Sequence, residues 1–408
     1  MRLIIRAKLI PNSIKVLIDF ELIGKELKWL NFATLFAFMS KIRILHIIKS
    51  LGRGGAETLL PETLKLHNKE KFEFHFIYFL PWKDQMVAEI KQAGGIVSCL
   101  KAGNNLTLIS RYKEVANYCK ENNIDLIHSH LPWSGFLSRF VFKNTDIPVI
   151  YTEHNIQERY HFATRRLNAI TFNWQSKALG VSADVSRSIK ENINPKVPVQ
   201  TLLNGVNTQS FYKDEVAAAA IKEKYNIPSQ ALVVGNLAVF REQKDLVAWV
   251  KAFKLINDSF PEVYGILVGA GPKEEEIKSL IETCNLGRRI ILPGLQTNAV
   301  DFLSTMDIFM MSSQFEGLPI ALLEAMSIGC AIVSTKAGGV VEVVRNEKDG
   351  LLSEVGDANA LAKNCLNFLE NTEKRKEFQE AARKRVVKSF SLVKMVKELE
   401  KCYLDLID

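Results

Sequence analysis

The chain has 408 residues, of which 47% are apolar and 24% charged, and its 53 lysines and arginines against 45 acidic residues leave a net charge of +8. This composition excludes a disordered chain, a collagen-like fibre and a multi-span membrane protein, and the length favours two to three domains. The positive charge fits nucleic acid, an anionic membrane or phosphorylated small molecules, and does not choose among them. The six cysteines are scattered without a C-x-x-C spacing, so neither a zinc or thioredoxin-like site nor a disulfide framework is indicated.

Residues 1–40 are predicted to be an N-terminal extension. They contain the apolar run Trp29–Met39, which is shorter than the roughly 20 residues needed to cross a bilayer. No small-residue cleavage site follows the run, so a signal peptide is not expected. We expect either that the native chain starts at Met39 or that this extension forms a short surface helix.

Short apolar segments alternate with amphipathic stretches over residues 41–210. A first strand is predicted at Arg43–Ile48, and Ser110–Asn122 carries apolar residues at helical spacing. Further strands are predicted at Phe74–Leu80, Ile96–Leu100, Asp125–His128, Val149–Thr152 and Ala178–Val181. Continuous apolar strands separated by helices indicate a parallel sheet that is covered on both faces.

The pattern loosens at the turn-rich segment Asn204–Tyr212, and we place a domain boundary at residue 211. A second alternation then occupies residues 211–388, and residues 389–408 are predicted to form a helix that packs back towards the first domain. The strands of this half are predicted at Ala231–Ala238, Tyr264–Val268, Arg289–Leu292, Ile308–Met311 and Ala331–Ser334, with helices at Asp245–Ile256, Lys273–Cys284 and Leu392–Leu406. The predicted fold class is therefore α/β, with two doubly wound, Rossmann-like domains that face a cleft.

The most informative segment is Ser312–Met326, which directly follows an apolar strand. Gly317 permits a sharp turn, and Pro319 suits the first position of a helix, where the N–H that it lacks would be unpaired. Such a helix would direct its free backbone N–H groups into the cleft, where they could hold a diphosphate. Glu316 and Glu324 could accept hydrogen bonds from hydroxyls at opposite ends of an elongated ligand.

The pattern Glu316-Gly-Leu-Pro-x-x-Leu-Leu-Glu324-Ala-Met resembles glycosyltransferase family 4, the retaining nucleotide-sugar enzymes of the GT-B fold. The resemblance covers about residues 41–406 and is stronger in the second half. Smaller matches follow in order at Gly54–Glu57, Asp125–His130, Thr152–His154, Asn204–Val206 with Phe211, Gly269–Pro272 and Ala337–Glu342. The resemblance implies that the first domain lies on the acceptor side and that the second binds the nucleotide sugar.

The resemblance also implies roles for the matching residues. Glu324 would hold the ribose hydroxyls, and Glu316 would face the donor sugar. Arg241 and Lys244 would clamp the pyrophosphate, although the arginine lies three residues before the lysine and the family usually has about five. The backbone that receives donor oxygens would be that of Gly317, Leu318, Pro319 and Ile320, with the first loop contributing Gly54 and Gly55.

His154 is the leading catalytic candidate of the first domain, because it follows a predicted strand and the family places a histidine there near the donor sugar. It would act as a hydrogen-bonding group or as a general base. In retaining enzymes of this type, the leaving phosphate oxygen can itself take the proton of the acceptor.

Cleavage of a sugar–phosphate bond builds charge on the departing nucleoside diphosphate, and fixed cations or N–H donors lower that barrier. Many sugar transferases use a divalent metal held by Asp-x-Asp instead, but no two aspartates of this sequence lie two positions apart. We therefore predict metal-independent catalysis with no cofactor, the nucleotide sugar being a substrate. A zinc site of His128, His130 and His154 is an alternative without a carboxylate at a recognisable spacing.

The leading hypothesis is a retaining hexosyltransferase that moves a sugar from a UDP- or GDP-linked donor to a glycan or lipid-linked acceptor in cell-surface polysaccharide synthesis. A GT-B nucleotide-sugar epimerase and a non-catalytic glycan-binding relative are the alternatives. A nucleic-acid binder is not favoured, because no basic stripe is interleaved with aromatic residues. Similarity to surface-polysaccharide enzymes implies a cytoplasmic protein at the inner face of the membrane. The basic and aromatic residues that would meet an anionic surface are Arg111, Lys113, Lys120, Arg159, Arg165, Arg166, Tyr160, Phe162 and Trp174.

Overall fold

The computed structural model describes residues 3–10, 13–20, 29–31 and 41–407. The first three of these segments are strands β1 (Leu3–Ile10), β2 (Ser13–Phe20) and β3 (Trp29–Asn31), which pair in an antiparallel sheet. Isoleucine and valine are frequent in β1 and β2 and favour extended backbone. Our expectation of a short surface helix is therefore wrong at these positions, and residues 32–39 of the apolar run lie outside the described residues.

A seven-stranded sheet forms the core of the first α/β unit, and all its strands run parallel. In chain order the strands are β4 (Ile42–Ile47), β5 (Phe72–Tyr78), β6 (Ile96–Cys99), β7 (Leu126–His130), β8 (Val149–Glu153), β9 (Lys177–Gly180) and β10 (Val199–Thr201). The helices that cover it are α1 (Gly55–Leu66), α2 (Val87–Gln92), α3 (Asn105–Ser110), α4 (Tyr112–Glu121), α5 (Pro132–Asn144), α6 (Phe162–Thr171) and α7 (Ala183–Ile193).

A six-stranded parallel sheet forms the core of the second unit. Its strands are β11 (Val233–Leu237), β12 (Tyr264–Val268), β13 (Ile290–Gly294), β14 (Ile308–Met311), β15 (Ala331–Thr335) and β16 (Leu351–Ser353). The remaining helices are α8 (Glu215–Lys224), α9 (Leu246–Ser259), α10 (Glu274–Thr283), α11 (Ala299–Thr305), α12 (Ile320–Ile328), α13 (Val340–Val343), α14 (Ala358–Glu370), α15 (Thr372–Ser389) and α16 (Leu392–Ile407).

The strand order of each sheet reverses at one strand. In the first sheet β4 lies between β5 and β7, and in the second β11 lies between β12 and β14. Ligands of doubly wound sheets bind outside the carboxyl ends of the strands at such reversal points. The loops after β4 and β11 are therefore the expected walls of a binding cleft, and the predicted fold class is confirmed.

The last helix returns to the first unit. Leu399, Cys402 and Tyr403 of α16 are buried in the same apolar cluster as Ile44 and Phe74 of the first sheet. A second apolar cluster includes residues of both units, among them Val181 and Leu318. Among the residues that the structure describes, no helix is both long and apolar enough to cross a bilayer.

Candidate active site

An ion pair between Lys244 and Glu316 lies at the centre of the candidate site. Lys244 ends a 3-10 turn (Glu242–Lys244) that follows β11, and Glu316 follows β14. The lysine Nζ lies 2.6 Å from Glu316 Oε1, and the hydroxyl of Ser313 donates to the same oxygen at 2.6 Å. Glu316 is only 7% exposed, so the pair fixes one ammonium and one carboxylate at the edge of the cleft.

Hydrogen bonds join the two loops that carry this pair. The hydroxyl of Ser312 donates to the carbonyls of Lys244 at 3.0 Å and Asp245 at 2.9 Å. The backbone N–H of Gln314 donates to the carbonyl of Gln243 at 2.8 Å. These bonds hold the two loops in one register, so the positions of the ammonium and the carboxylate are set by the backbone.

Helix α12 starts next to the ion pair. The predicted start is one residue too early: Pro319 is the residue before the helix, and Ile320 is the first helical residue. The ψ of Pro319 is 116°, which is extended, while its carbonyl already accepts a bond from the N–H of Leu323 at 3.3 Å. The first turn of α12 therefore begins four residues after Glu316. Its N–H groups have no carbonyl partner within the helix, and such groups can bind an anion.

Close backbone packing at Gly317 joins the two units. A Cβ at Gly317 would overlap the carbonyl oxygen of His154, and a Cβ at Gly339 would overlap the carbonyl oxygen of Gly317. The N–H of Gly339 also donates to the carbonyl of Glu316 at 3.1 Å. Glycine is required at both positions because backbones, and not side chains, meet there.

His154 lies just beyond the end of β8 and faces this junction. Its side chain is half-buried, and among the described residues its Nε2 has no hydrogen-bond partner. Burial lowers the pKa of His154 to about 4, so the imidazole is neutral near pH 7. The neutral ring can donate to a sugar hydroxyl through its N–H or accept from one through its other nitrogen, depending on its tautomer.

Three more histidines form a buried chain behind His154. His46 Nδ1 lies 3.0 Å from His130 Nε2, and His128 lies 2.8 Å from the hydroxyl of Tyr403 and 2.7 Å from that of Thr152. Burial lowers the pKa of all three rings.

Ring nitrogens of His46, His128 and His130 lie within 4.8 Å of one another. The zinc alternative from the sequence had His154 in place of His46. The neighbouring cavity measures about 30 Å³, and His130, His154 and Asn204 are among its lining residues.

Glu324 lies in the second turn of α12 and is half-buried. Burial raises its pKa to about 7, and the negative charge of Glu62 on α1 adds to this rise. Glu62 belongs to the first unit and Glu324 to the second, so this electrostatic repulsion acts between the two units. Asn204, from the segment between the units, donates to the carbonyl of Leu318 at 3.2 Å.

Arg241 and the loop that contains Gly54 lie at the periphery of the candidate site. Arg241 is exposed at the start of the 3-10 turn, and Lys244 alone of the two predicted cations pairs with Glu316 in the described structure. A Cβ at Gly54 would lie 2.5 Å from Oε2 of Glu57, so the glycine makes room for this carboxylate. A Cβ at Gly55 would lie 3.7 Å from the side chain of Ile320, which places the first loop beside the start of α12.

Glu57 itself received no role from the sequence. Burial raises its pKa, while the hydroxyl of Ser50 and the charges of Arg241 and Lys83 oppose that rise. Glu57 lies in the first turn of α1, and the positive charge of Arg241 in the second unit acts on it. No sequence motif indicates this electrostatic interaction, because the two residues belong to different units.

Two of the residues predicted to face a membrane make contacts within the protein. The guanidinium of Arg159 stacks over the ring of Phe315 at 4.2 Å, and the hydroxyl of Tyr160 donates to the buried Glu153 at 2.5 Å. Arg159 is nevertheless exposed and Tyr160 half-buried, so their assignment to a membrane surface stays a prediction. Phe162, Arg165 and Arg166 are exposed on α6.

Two family models match the chain. Residues 53–210 match the model described as Glycosyltransferase Family 4, and residues 218–385 match the model described as Glycosyl transferases group 1. The first match covers most of the seven-stranded sheet, and the second covers the six-stranded sheet with the ion pair and α12.

Relatives and solved structures agree with these matches. N-acetyl-alpha-D-glucosaminyl L-malate synthase of Bacillus anthracis is 25% identical over 74% of this chain and 80% of its own length. UDP-Gal:alpha-D-GlcNAc-diphosphoundecaprenol alpha-1,3-galactosyltransferase of Escherichia coli is 24% identical over 90% of this chain and 98% of its own length. The crystal structure of Anabaena HepE with UDP and glucose superposes with a TM-score of 0.80 at 18% identity, over 89% of this chain and 100% of that one.

Proposed function

The chain belongs to the group 1 and family 4 glycosyltransferases, which use nucleotide-sugar donors, and from this premise we propose that it transfers a hexosyl group from a UDP- or GDP-sugar to a glycan or lipid-linked acceptor in cell-surface polysaccharide synthesis. The observation that carries the proposal is the Lys244–Glu316 ion pair beside the first turn of α12. The Escherichia coli relative, whose name gives a diphosphoundecaprenol-linked acceptor, supports a lipid-linked acceptor here.

The donor would lie along the edge of the second sheet. The ammonium of Lys244 and the first N–H groups of α12 would hold the diphosphate, with Arg241 reaching it from the exposed side of the turn. Glu324, one turn further along α12, would accept from a ribose hydroxyl. Glu316 and His154 would bind the sugar between the two units, and the backbone from Gly317 to Ile320 would bring its N–H groups near the same oxygens.

Transfer then breaks the bond between the anomeric carbon and the phosphate oxygen, and the acceptor oxygen bonds to the same carbon with retention of its configuration. The bonding electrons leave with the nucleoside diphosphate, where Lys244 and the N-terminus of α12 offset the new charge. The acceptor proton passes to the departing phosphate oxygen, which lies on the same face of the sugar ring as the acceptor. These positive groups would do the work that a divalent ion does in other transferases, so we propose catalysis without a metal.

A peripheral contact with an anionic membrane is the second part of the proposal. Phe162 and Ile170 of α6 are 71% and 61% exposed, and Arg166 lies between them at four-residue spacing on the same side of the helix. Apolar side chains flanked by arginines suit the headgroup region of an anionic bilayer. This surface would bring the cleft to a lipid-linked acceptor at the inner face of the cell membrane.

Nucleotide binding is tested by a thermal-shift screen with UDP- and GDP-sugars. We expect one of the two sets to raise the melting temperature and Glu324→Ala to abolish the rise. An unchanged rise in the variant would contradict the ribose assignment. Incubation of the bound donor with acceptor would then show transfer, whereas recovery of an isomerised donor without transfer would indicate the epimerase.

Membrane contact is tested by co-sedimentation with anionic and neutral liposomes. We expect salt-sensitive binding to the anionic vesicles and its loss in the double variant Phe162→Ser, Ile170→Ser. Equal binding of the variant, or no binding by the native chain, would remove this part of the proposal.

A further inference from the structure

Glu153, the last residue of β8, is a fully buried carboxylate that precedes His154. Its two oxygens accept five hydrogen bonds from residues 151–160. Oε2 accepts from the hydroxyl of Tyr151 at 2.7 Å and the amide of Gln157 at 2.8 Å; Oε1 accepts from the hydroxyl of Tyr160 at 2.5 Å and the backbone N–H groups of His154 at 3.0 Å and Asn155 at 3.3 Å.

A buried carboxylate is retained at low cost only when hydrogen bonds replace its lost hydration. Here the donors come from before and after Glu153, so the bonds close residues 153–160 into one loop around it. Two of the donors are the backbone N–H groups at the start of this loop. The carboxylate therefore determines the path of the chain at His154, and not only the position of a side chain.

Buried residues of α5 and α6 support the loop from behind. The side-chain oxygen of Gln157 accepts from the amide of Asn168 at 2.7 Å, and Asn168 accepts from Arg139 Nη1 at 2.6 Å. The guanidinium of Arg139 lies 4.8 Å from the ring centroids of both Tyr151 and Phe172. The loop is thus tied to the interior of the first unit.

The other side of the loop contacts the second unit on both sides of Glu316. The carbonyl of His154 lies against Gly317, where a Cβ would overlap it. Arg159 stacks over Phe315 at 4.2 Å. Phe315 and Gly317 are the chain neighbours of Glu316, so one loop of the first unit meets the residues immediately before and after that carboxylate.

We infer that Glu153 is a positioning residue for sugar transfer, which acts through His154 and Arg159 by holding the loop of residues 153–160 against Phe315 and Gly317. The inference rests on the proposed function, because it takes Glu316 and His154 to face the donor sugar. Glu153 touches neither donor nor acceptor. Its removal leaves the diphosphate and ribose contacts of the second unit in place and loosens the geometry around the sugar.

The test compares Glu153→Gln with Glu158→Gln in the full chain. Glu158 lies in the same loop but accepts hydrogen bonds from Ser188 and Asn192 of α7. It is therefore a matched control carboxylate that does not bond to the donors of Glu153. The probe is UDP-glucose, with release of UDP as the rate measurement. We expect Glu153→Gln to lower kcat about 10- to 100-fold with an unchanged KM, because misplacement by about 1 Å costs that much. Glu158→Gln should retain the native kcat and KM.

Tyr160→Phe is a second, milder variant that tests the same hydrogen-bond network if Glu153→Gln does not fold. This variant removes one hydroxyl donor and keeps the ring and the carboxylate. We expect a smaller fall in kcat, again with an unchanged KM and with an unchanged melting temperature. Native kcat in both variants would overturn the inference, and so would a fall in kcat that only follows a fall in melting temperature.

A second readout separates this inference from the proposed function. The ring ¹H–¹⁵N signals of His154, assigned with His154→Gln, should shift in Glu153→Gln and stay in place in Glu158→Gln. Absence of UDP-glucose turnover by the native chain would count against that donor in the proposed function, while the His154 signals still test the loop. Unshifted signals in Glu153→Gln would overturn the inference whatever the activity.

Discussion

The two walls of the cleft are built differently. On the second unit, the site is one strand–loop–helix segment, residues 308–328, together with Lys244 from the neighbouring loop. On the first unit, His154 depends on buried partners that come from β8, α5 and α6. A site carried by one segment leaves a motif in the sequence, whereas a site that depends on a buried network does not.

The largest effect is expected from Glu316→Gln, which removes the charge that pairs with Lys244. We expect kcat to fall about 10³-fold, since the fixed charges at the cleft edge act mainly on the transition state. Glu354→Gln is the matched control, because Glu354 forms an exposed pair with Lys336 in the same unit. The double variant Lys244→Ala, Glu316→Gln should be no slower than the slower single variant. Independent, additive losses in steady-state kinetics would contradict a paired site.

Gly317→Ala is expected to have the next largest effect, because it acts on the contact between the two walls. The added methyl would overlap the carbonyl of His154, so the units must separate locally, and we expect kcat to fall about 100-fold. Gly103→Ala is the control, since no atom lies within 4 Å of a Cβ built there. Native kcat in Gly317→Ala would show that the walls are not in contact during turnover.

Glu324→Gln is expected to weaken nucleotide binding by about 10-fold at pH 8, as expected for loss of one charge-assisted hydrogen bond. Burial raises the pKa of Glu324 to about 7, so its carboxyl is mostly ionised at pH 8 and mostly protonated at pH 6. Calorimetric titration with UDP or GDP should therefore show native and variant proteins converging at pH 6. A difference in affinity that is the same at both pH values would contradict the role of the ionised carboxylate.

The smallest effect concerns stability. Because the pKa of Glu324 rises from 4.5 in the unfolded chain to about 7 in the folded one, the folded chain holds its proton more tightly. The free energy of unfolding should thus fall as the pH rises from 4.5 to 7, on the order of 1–2 kcal/mol. Urea denaturation should show no such contribution in Glu324→Gln and a reduced one in Glu62→Gln. If Glu62→Gln kept the full pH-dependent fall in the free energy of unfolding, there would be no electrostatic repulsion between Glu62 and Glu324.

The strands of the two parallel sheets were largely predictable, because short, continuous apolar segments between amphipathic stretches are typical of buried parallel strands. The three-residue strands Val199–Thr201 and Leu351–Ser353 were missed, since each lies at a sheet edge and is too short to show a pattern. The start of α12 was misplaced by one residue, because proline suits both the first helical position and the one before it.

The candidate site was predictable on one wall only. The sequence placed Lys244 and Glu316 in one site, but their direct contact joins residues 72 positions apart and follows only from the sheet order. On the other wall, the sequence identified His154 and gave no role to Glu153, although Glu153 precedes it. Nothing in the sequence indicates that Tyr151, Gln157 and Tyr160 converge on one carboxylate.

The most direct test of the proposed donor site is a crystal structure of the chain with UDP or GDP, whichever binds. We expect phosphate oxygens within hydrogen-bond distance of Lys244 Nζ and of the first N–H groups of α12, with a ribose hydroxyl donating to Glu324. A nucleotide bound away from α12, or one whose phosphates contact the buried histidines of the first unit, would contradict it.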